Sequence, residues 1–165
     1  MHRFVLLFCV FVALSACGFH PRATLALADE LGPVKVVTSD PYSPLAYGLA
    51  TALERAGAEP LLVQEAADAA TLYVRAERLE TRPLSVDRQA QVREYESRYL
   101  VKFELRDAAG KVLVPLQEIA LSREYTYDAL SPGGSPQEQE LLQAELRRDM
   151  QAAILRRIDV VLRAD

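Results

Sequence analysis

The sequence predicts an α+β domain, a two-layer sandwich in which two helices cover one face of a four-stranded mixed sheet. Three observations indicate this fold. A short apolar strand pattern is followed by a helix and a second strand, two stretches in the middle of the chain alternate apolar and polar side chains, and the last segment repeats apolar residues at helical spacing. The predicted order of elements is β-α-β-β-β-α.

The first three elements form a strand–helix–strand unit. A strand is predicted at 34–38, and Ser43 followed by Pro44 is typical of a helix start, with serine as N-cap and proline at the first helical position. Gly57 is placed to end that helix, and a strand is predicted at 72–81. Because such a crossover joins parallel strands, we expect the two strands to be parallel.

The middle of the chain is predicted to be a β-hairpin. Residues 94–106 alternate, so that one face carries Tyr95, Tyr99, Phe103 and their neighbours and the other is charged. A turn is predicted at 107–110 and a return strand through 119–127. Pro115, early in the return strand, indicates an edge position or a β-bulge because proline cannot donate to a ladder.

The last element is a long helix after a flexible segment at 130–135. Ser135 is its predicted N-cap, Pro136 its first residue, and Glu138 completes a capping box. We expect the helix to pack on the sheet through its apolar stripe, although such a stripe also suits a helix that binds a partner. The stripe consists of Leu142, Leu146, Met150, Ala153, Ile154, Ile158, Val161 and Leu162.

The start of the chain has the order of a bacterial lipoprotein signal. A short basic start precedes an apolar run over 4–14, and Leu14-Ser15-Ala16-Cys17 follows as a lipobox. The apolar run is too short for a membrane-spanning helix, which needs about 20 residues. A cleaved signal without lipidation is the other alternative. We therefore predict a signal peptide at 1–16 and lipidation of Cys17.

Lipidation predicts where the protein works. Gly18 stands where an aspartate would often retain a lipoprotein in the inner membrane, so we expect the protein on the periplasmic side of the cell outer membrane. Acyl chains make such anchoring effectively permanent. Residues 17–32 are then the lipidated N-terminus and tether, and 33–165 a single α/β domain.

Composition argues against several classes of function. The net charge of −4 does not favour nucleic-acid binding. The two histidines, His2 and His20, and the two cysteines, Cys9 and Cys17, all precede the predicted domain. That domain therefore lacks the groups for Cys-His or Ser-His-Asp catalysis and for the usual zinc sites. We expect no enzyme activity, no metal and no cofactor.

Basic residues offer the candidate binding site. Arg88 and Arg93 lie on a polar connection at 86–93 that leads into the long strand, and Arg98, Lys102 and Arg106 continue along its charged face. Interspersed glutamates leave two interpretations open. The charges form an ordinary solvated face, or this end of the sheet contacts lipid phosphates or the polar lumen of another protein.

The chain resembles the LPS-assembly lipoprotein family, LptE. The match is strongest at Cys17-Gly18-Phe19-His20-Pro21-Arg22, and extends to Arg93-Glu94-Tyr95 at the start of the long strand and to Glu145-Leu146-Arg147 in the last helix. The order of elements agrees over nearly the whole chain after Cys17.

The resemblance implies a non-catalytic partner of the outer-membrane β-barrel LptD. Such a protein plugs the barrel lumen, assists barrel assembly and binds lipopolysaccharide through basic residues near one tip of the sheet. Arg88 matches one of these positions. The loop entering the last helix, 132–137, carries no basic residue for a second; Arg93 or Arg123 are the alternatives. A lipoprotein auxiliary of an ABC-type lipid transporter is the competing hypothesis, and an unrecognised hydrolase is a distant third.

Overall fold

The computed structural model of the chain describes residues 32–58, 68–126 and 135–164. The predicted signal peptide at 1–16, Cys17 and nearly all of the predicted tether lie outside these residues. The elements follow the order β1 (Val34–Thr38), α1 (Pro44–Arg55), β2 (Ala70–Val86), β3 (Val92–Arg106), β4 (Val112–Thr126) and α2 (Ser135–Leu162). The predicted α+β class and the β-α-β-β-β-α order are confirmed.

The four strands form one mixed sheet in the order β1-β2-β3-β4. β1 and β2 are parallel, as the crossover predicts, and the pairs β2–β3 and β3–β4 are antiparallel. Helices α1 and α2 contact each other and the sheet. They share a single apolar core with all four strands, so both lie on the same face.

The core is built from alternate residues of β3 and from one stripe on each helix. Tyr99, Val101 and Phe103 are fully buried, which confirms the alternation predicted for this strand. The predicted stripe of α2 is packed inside the molecule, as expected for a helix that covers a sheet. The helix residues of the core are Leu45, Leu49, Leu53, Leu146, Met150, Ile154, Leu155 and Ile158.

Helix α1 begins and ends where its sequence predicts. The Ser43 hydroxyl accepts a hydrogen bond from the N–H of Ala46 at 3.0 Å, with Pro44 at the first helical turn. Gly57 follows the helix with a φ of +91°, a conformation that glycine adopts at little cost. Within the helix, a Cβ at Gly48 would lie 1.9 Å from the side chain of Gln151, so the missing side chain lets α1 and α2 approach closely.

Strand β2 is longer than its sequence predicts. The predicted strand ends at Thr81, but β2 continues through Pro83 to Val86. The extension is paired with β3 as far as Val86, whereas β1 pairs only with Ala70–Val74 and then ends. No other strand of the described residues covers that edge of β2, and proline is tolerated on an edge strand because its missing N–H breaks no ladder there. The β2–β3 hairpin therefore extends well past β1.

Pro115 satisfies both predicted alternatives. It lies on β4, which is an edge strand of the sheet. The register also shifts there, since Phe103 is opposite Gln117 whereas Leu105 is opposite Val114. Two residues of β4 thus face one of β3, which is a β-bulge. Across the three described stretches, no helix is both long and apolar enough to cross a membrane.

The packing of α2 predicts that substitutions on its buried face lower the free energy of unfolding much more than substitutions on its exposed face. Ile154→Ala removes a fully buried side chain and should lower the free energy of unfolding by about 2–5 kcal/mol. Val160→Ala, on the same helix but 63% exposed, is the matched control and should change it by less than about 0.5 kcal/mol. Urea denaturation followed by circular dichroism measures both values, and equal effects would contradict the described packing.

Candidate functional site

The far end of the β2–β3 hairpin is a projecting arm, defined here as residues 82–96. The start of β2 is buried under the helices, whereas most residues from Glu80 to Gln91 are exposed. Strand pairing nevertheless continues to the end, where Val86 is opposite Val92. The arm is thus an extension of the sheet in which the two strands stay paired but the helices cover few residues. It carries both Arg88 and Arg93.

Asp87 organises the turn at the apex of the arm. One oxygen of its carboxylate accepts hydrogen bonds from the N–H groups of Gln89 and Gln91, each at 2.9 Å. The backbone closes the same turn, because the N–H of Asp87 donates to the carbonyl of Gln91 at 2.8 Å. Ala90 adopts a φ of +59° within it. The Asp87 carboxylate and the backbone hydrogen bonds therefore hold residues 87–91 together in one turn.

Arg93 is the cationic partner of that carboxylate. Its Nε and Nη2 lie 2.8 and 2.7 Å from Asp87 Oδ2. The hydrogen bond from the N–H of Gln91, the second one from Gln89 and the Arg93 guanidinium together hold the pKa of Asp87 below its ordinary value, against the opposing effect of burial. Arg93 is thus engaged within the turn.

The remaining acidic groups of the arm are also partnered. Arg82 Nε lies 2.6 Å from a carboxylate oxygen of Glu96, and the Ser85 hydroxyl donates to Glu94 at 2.6 Å. All three arginines of the arm are exposed, but Arg88 differs from Arg82 and Arg93 because it makes no ion pair with any described residue. The structure places Arg88 within the turn and Arg93 beside it on β3. Of these two predicted residues, only Arg88 makes no ion pair with a described residue.

The charged face of the sheet is largely self-neutralised. Lys102 lies 3.0 Å from Glu118, and Arg106 lies 3.2 Å from Glu104. Arg75 also binds Glu104, and this hydrogen bond, followed by that from Arg106, lowers the pKa of the Glu104 carboxyl. The pattern agrees with the interpretation of this face as a mixed-charge solvated surface rather than as a continuous basic patch.

Arg123, the other alternative for a second basic contact, is also paired. Its Nη2 lies 2.6 Å from a carboxylate oxygen of Asp149, which joins β4 to α2. The loop at 132–137 lies mostly outside the described residues. Arg93 and Arg123, the two candidates for the second basic contact, are therefore both already paired with a carboxylate among the described residues.

A cleft that the sequence analysis missed lies beside α1. It has a volume of about 310 Å³ and is lined by Ser39, Asp40, Glu77, Arg147 and their neighbours. The buried Tyr99 hydroxyl donates to Glu77 at 2.6 Å, and burial followed by this carboxylate raises the pKa of Tyr99. Glu77 points inward although the alternation of Leu72 and Val74 predicts the opposite face, because the register shifts between Val74 and Ala76. The sequence alone therefore gives no signal for this contact. The described residues contain no cluster of metal-ligating side chains.

Comparisons with solved structures agree with this fold. The chain is similar to rare lipoprotein B from Shewanella oneidensis, with 26% identity over 75% of this chain and 91% of that one and a TM-score of 0.64. An uncharacterised lipoprotein B from Nitrosomonas europaea shares 25% identity over 86% and 90% of the two chains, with a TM-score of 0.71. A minor lipoprotein from Acinetobacter baumannii, at 20% identity, 79% and 91% coverage and a TM-score of 0.64, supports the fold alone.

Comparison with family models identifies the family. No curated protein matches the chain. The family described as "LptE: Lipopolysaccharide-assembly" matches residues 26–158. This range includes every strand and nearly all of α2. The chain therefore belongs to the LptE lipopolysaccharide-assembly family.

Proposed function

We propose that this protein is a non-catalytic outer-membrane lipoprotein that plugs an LptD-type barrel, assists its assembly and binds lipopolysaccharide during delivery to the cell surface. Membership of the LptE family is the observation that carries the proposal. The supporting details are the lipobox, the charge-balanced surface of the sheet and the uncommitted arginine at the apex of the arm.

The anchor rests on the sequence. Cys17 follows Leu14-Ser15-Ala16, and cleavage of residues 1–16 would leave it as the acylated N-terminus. The segment up to residue 32 would tether the domain, since a flexible chain of this length spans about 20 Å. The domain would then stay close to the periplasmic side of the outer membrane, where a barrel partner is inserted.

A plug must present a polar surface to a polar lumen without carrying a large unbalanced charge. The interior of a wide transmembrane barrel is polar, and the sheet face opposite the helices carries partnered charges such as Lys102–Glu118 and Arg106–Glu104. Ion pairs already satisfied within the protein need no partner in the barrel. This surface suits a hydrated lumen better than a bilayer.

Lipopolysaccharide contact is assigned to the apex of the arm. Arg88 is exposed there, whereas Arg93 holds Asp87 and positions the turn. A guanidinium can bind a phosphate group through two parallel hydrogen bonds, which suits the phosphorylated head of such a lipid. In this proposal Arg88 contacts the lipid, and Arg93 keeps Arg88 in place by maintaining the turn.

Lipidation can be tested directly because the chain contains a second cysteine as a control. Cys17→Ser should abolish incorporation of labelled palmitate and leave the precursor uncleaved, because the thiol that accepts the lipid is gone. Cys9→Ser, within the predicted signal peptide, should leave labelling and processing unchanged. Mass spectrometry of the N-terminal peptide identifies the modified residue, and labelling that persists in Cys17→Ser would contradict the assignment.

The barrel partnership predicts a stoichiometric complex. Affinity purification from detergent-solubilised total membranes should recover a large LptD-type β-barrel in about equal amount. Quantitative gel staining and mass spectrometry measure the ratio. Recovery of inner-membrane ATPase subunits instead would favour an auxiliary subunit of an ABC-type lipid transporter and would overturn the plug.

The assignment of Arg88 predicts a loss of lipid affinity without unfolding. Arg88→Asp should raise the Kd for lipopolysaccharide at least about tenfold, since one charge-assisted contact of about 1.5 kcal/mol is lost and a repulsion is added. Arg148→Asp, the same charge change at an exposed position of α2, is the control and should bind normally. Direct binding assays and thermal melts measure both properties, and unchanged affinity in Arg88→Asp would remove the residue from the site.

A further inference from the structure

The arm exposes apolar side chains next to its free cation. Leu84 is 43% exposed and Val86 is 60% exposed, which places them among the exposed large apolar residues of the described chain. Both lie within four residues of Arg88. Val92, which is half-buried, is opposite Val86 in the strand register. Three apolar residues therefore surround the base of the turn that presents Arg88.

These residues are grouped at the end of the arm. Val86 and Val92 are opposite each other in the register, so their side chains lie on the same face. The register shifts between Pro83 and Ser85 and between Ser85 and Val86. Leu84 and Arg93 are the extra residues at these two shifts, so regular alternation is interrupted at both positions. Leu84 lies two residues before Val86, which places all three apolar residues next to the turn that carries Arg88.

Several polar side chains of the arm are paired with one another. Ser85, which precedes Val86, donates to Glu94 at 2.6 Å. Arg82 and Glu96 form an ion pair further down the arm. The arm thus combines exposed apolar residues near its tip, polar groups that are paired with one another, and one exposed arginine without an ion-pair partner among the described residues.

We infer that the apolar residues at the end of the arm, Leu84, Val86 and Val92, bind an acyl chain of the same lipid molecule whose phosphate contacts Arg88. The inference rests on the proposed function and specifies which part of the ligand the arm recognises. The occupant is a single acylated and phosphorylated lipid, because its apolar and anionic parts match the two adjacent features of the arm.

Two ligands separate acyl-chain contact from phosphate contact. The probes are purified lipopolysaccharide and the same material after chemical removal of its acyl chains, both in the same dilute detergent solution. Leu84→Ser combined with Val86→Ser should raise the Kd for intact lipopolysaccharide about tenfold, because two apolar contacts are lost. The same double variant should bind the deacylated ligand as the unmodified protein does. Arg88→Asp should weaken binding of both ligands.

A matched control comes from the opposite end of the sheet. Val112 and Leu116 are 44% and 57% exposed on β4, so Val112→Ser combined with Leu116→Ser removes a similar exposed apolar surface away from the arm. This control should bind both ligands normally. Thermal melts of the full chain should show that each double variant remains folded, as expected for exposed positions.

The outcomes distinguish this inference from the proposed function. If the arm double variant binds intact lipopolysaccharide normally, or loses both ligands equally, the acyl-chain contact is wrong while lipid binding through Arg88 stands. If the unmodified protein binds neither ligand, the proposed lipopolysaccharide binding itself fails. If the protein binds phosphatidylcholine vesicles free of lipopolysaccharide and the arm double variant loses this binding, the arm contacts membranes in general and the inference is overturned.

Discussion

The difference in length between β1 and its neighbours determines most of what is distinctive in this fold. β1 has 5 residues, whereas β2 has 17 and β3 and β4 have 15 each. The parallel β1–β2 pair, with α1 packed beside it, gives the sheet its buried end, where Leu72 and Val74 join the core. Beyond Val74, β2 is held by β3 alone among the described strands. The hairpin still packs against the core at Leu79 and Tyr99 and becomes mostly exposed from Glu80 onward. A longer β1 would have paired with the open edge of β2 along the arm that is proposed to meet the lipid.

Electrostatics then defines the surface that the strands expose. Most charged side chains of the arm and of the neighbouring sheet face are used in internal pairs, which contribute modestly to stability in exposed positions. Their larger effect is on recognition, because each pair removes one cation from competition for an anionic ligand. Within the arm, Arg88 is the one arginine that makes no ion pair with a described residue. Asp87 contributes to the position of Arg88, because its carboxylate accepts hydrogen bonds from backbone N–H groups and contacts Arg93, and these interactions hold the turn that carries Arg88.

Much of this architecture could be predicted from the residues because local signals and tertiary packing agree. Ser43-Pro44 begins a helix, and the alternation through Tyr99, Val101 and Phe103 forms a half-buried strand, as expected. The end of β2 was mispredicted because Pro83 normally interrupts a strand, and its tolerance depends on the length of β1, a non-local fact. Arg88 and Arg93 could be placed near one turn, but their different roles depend on the position of the Asp87 carboxylate. The Glu77–Tyr99 contact escaped prediction because it joins two strands across the inner face.

The uncovered edge of β2 also bears on how the protein behaves before it meets a partner. Exposed strand edges can pair with one another and nucleate aggregates. The part of β2 that extends past β1 carries features that oppose such pairing. Pro83 removes a hydrogen-bond donor, the register shifts around Ser85 disturb the regular spacing that a second strand would need, and the charged side chains of Arg78, Glu80 and Arg82 flank the edge. The part of β2 that extends past β1 is thus poorly suited to pairing with the same edge of another copy.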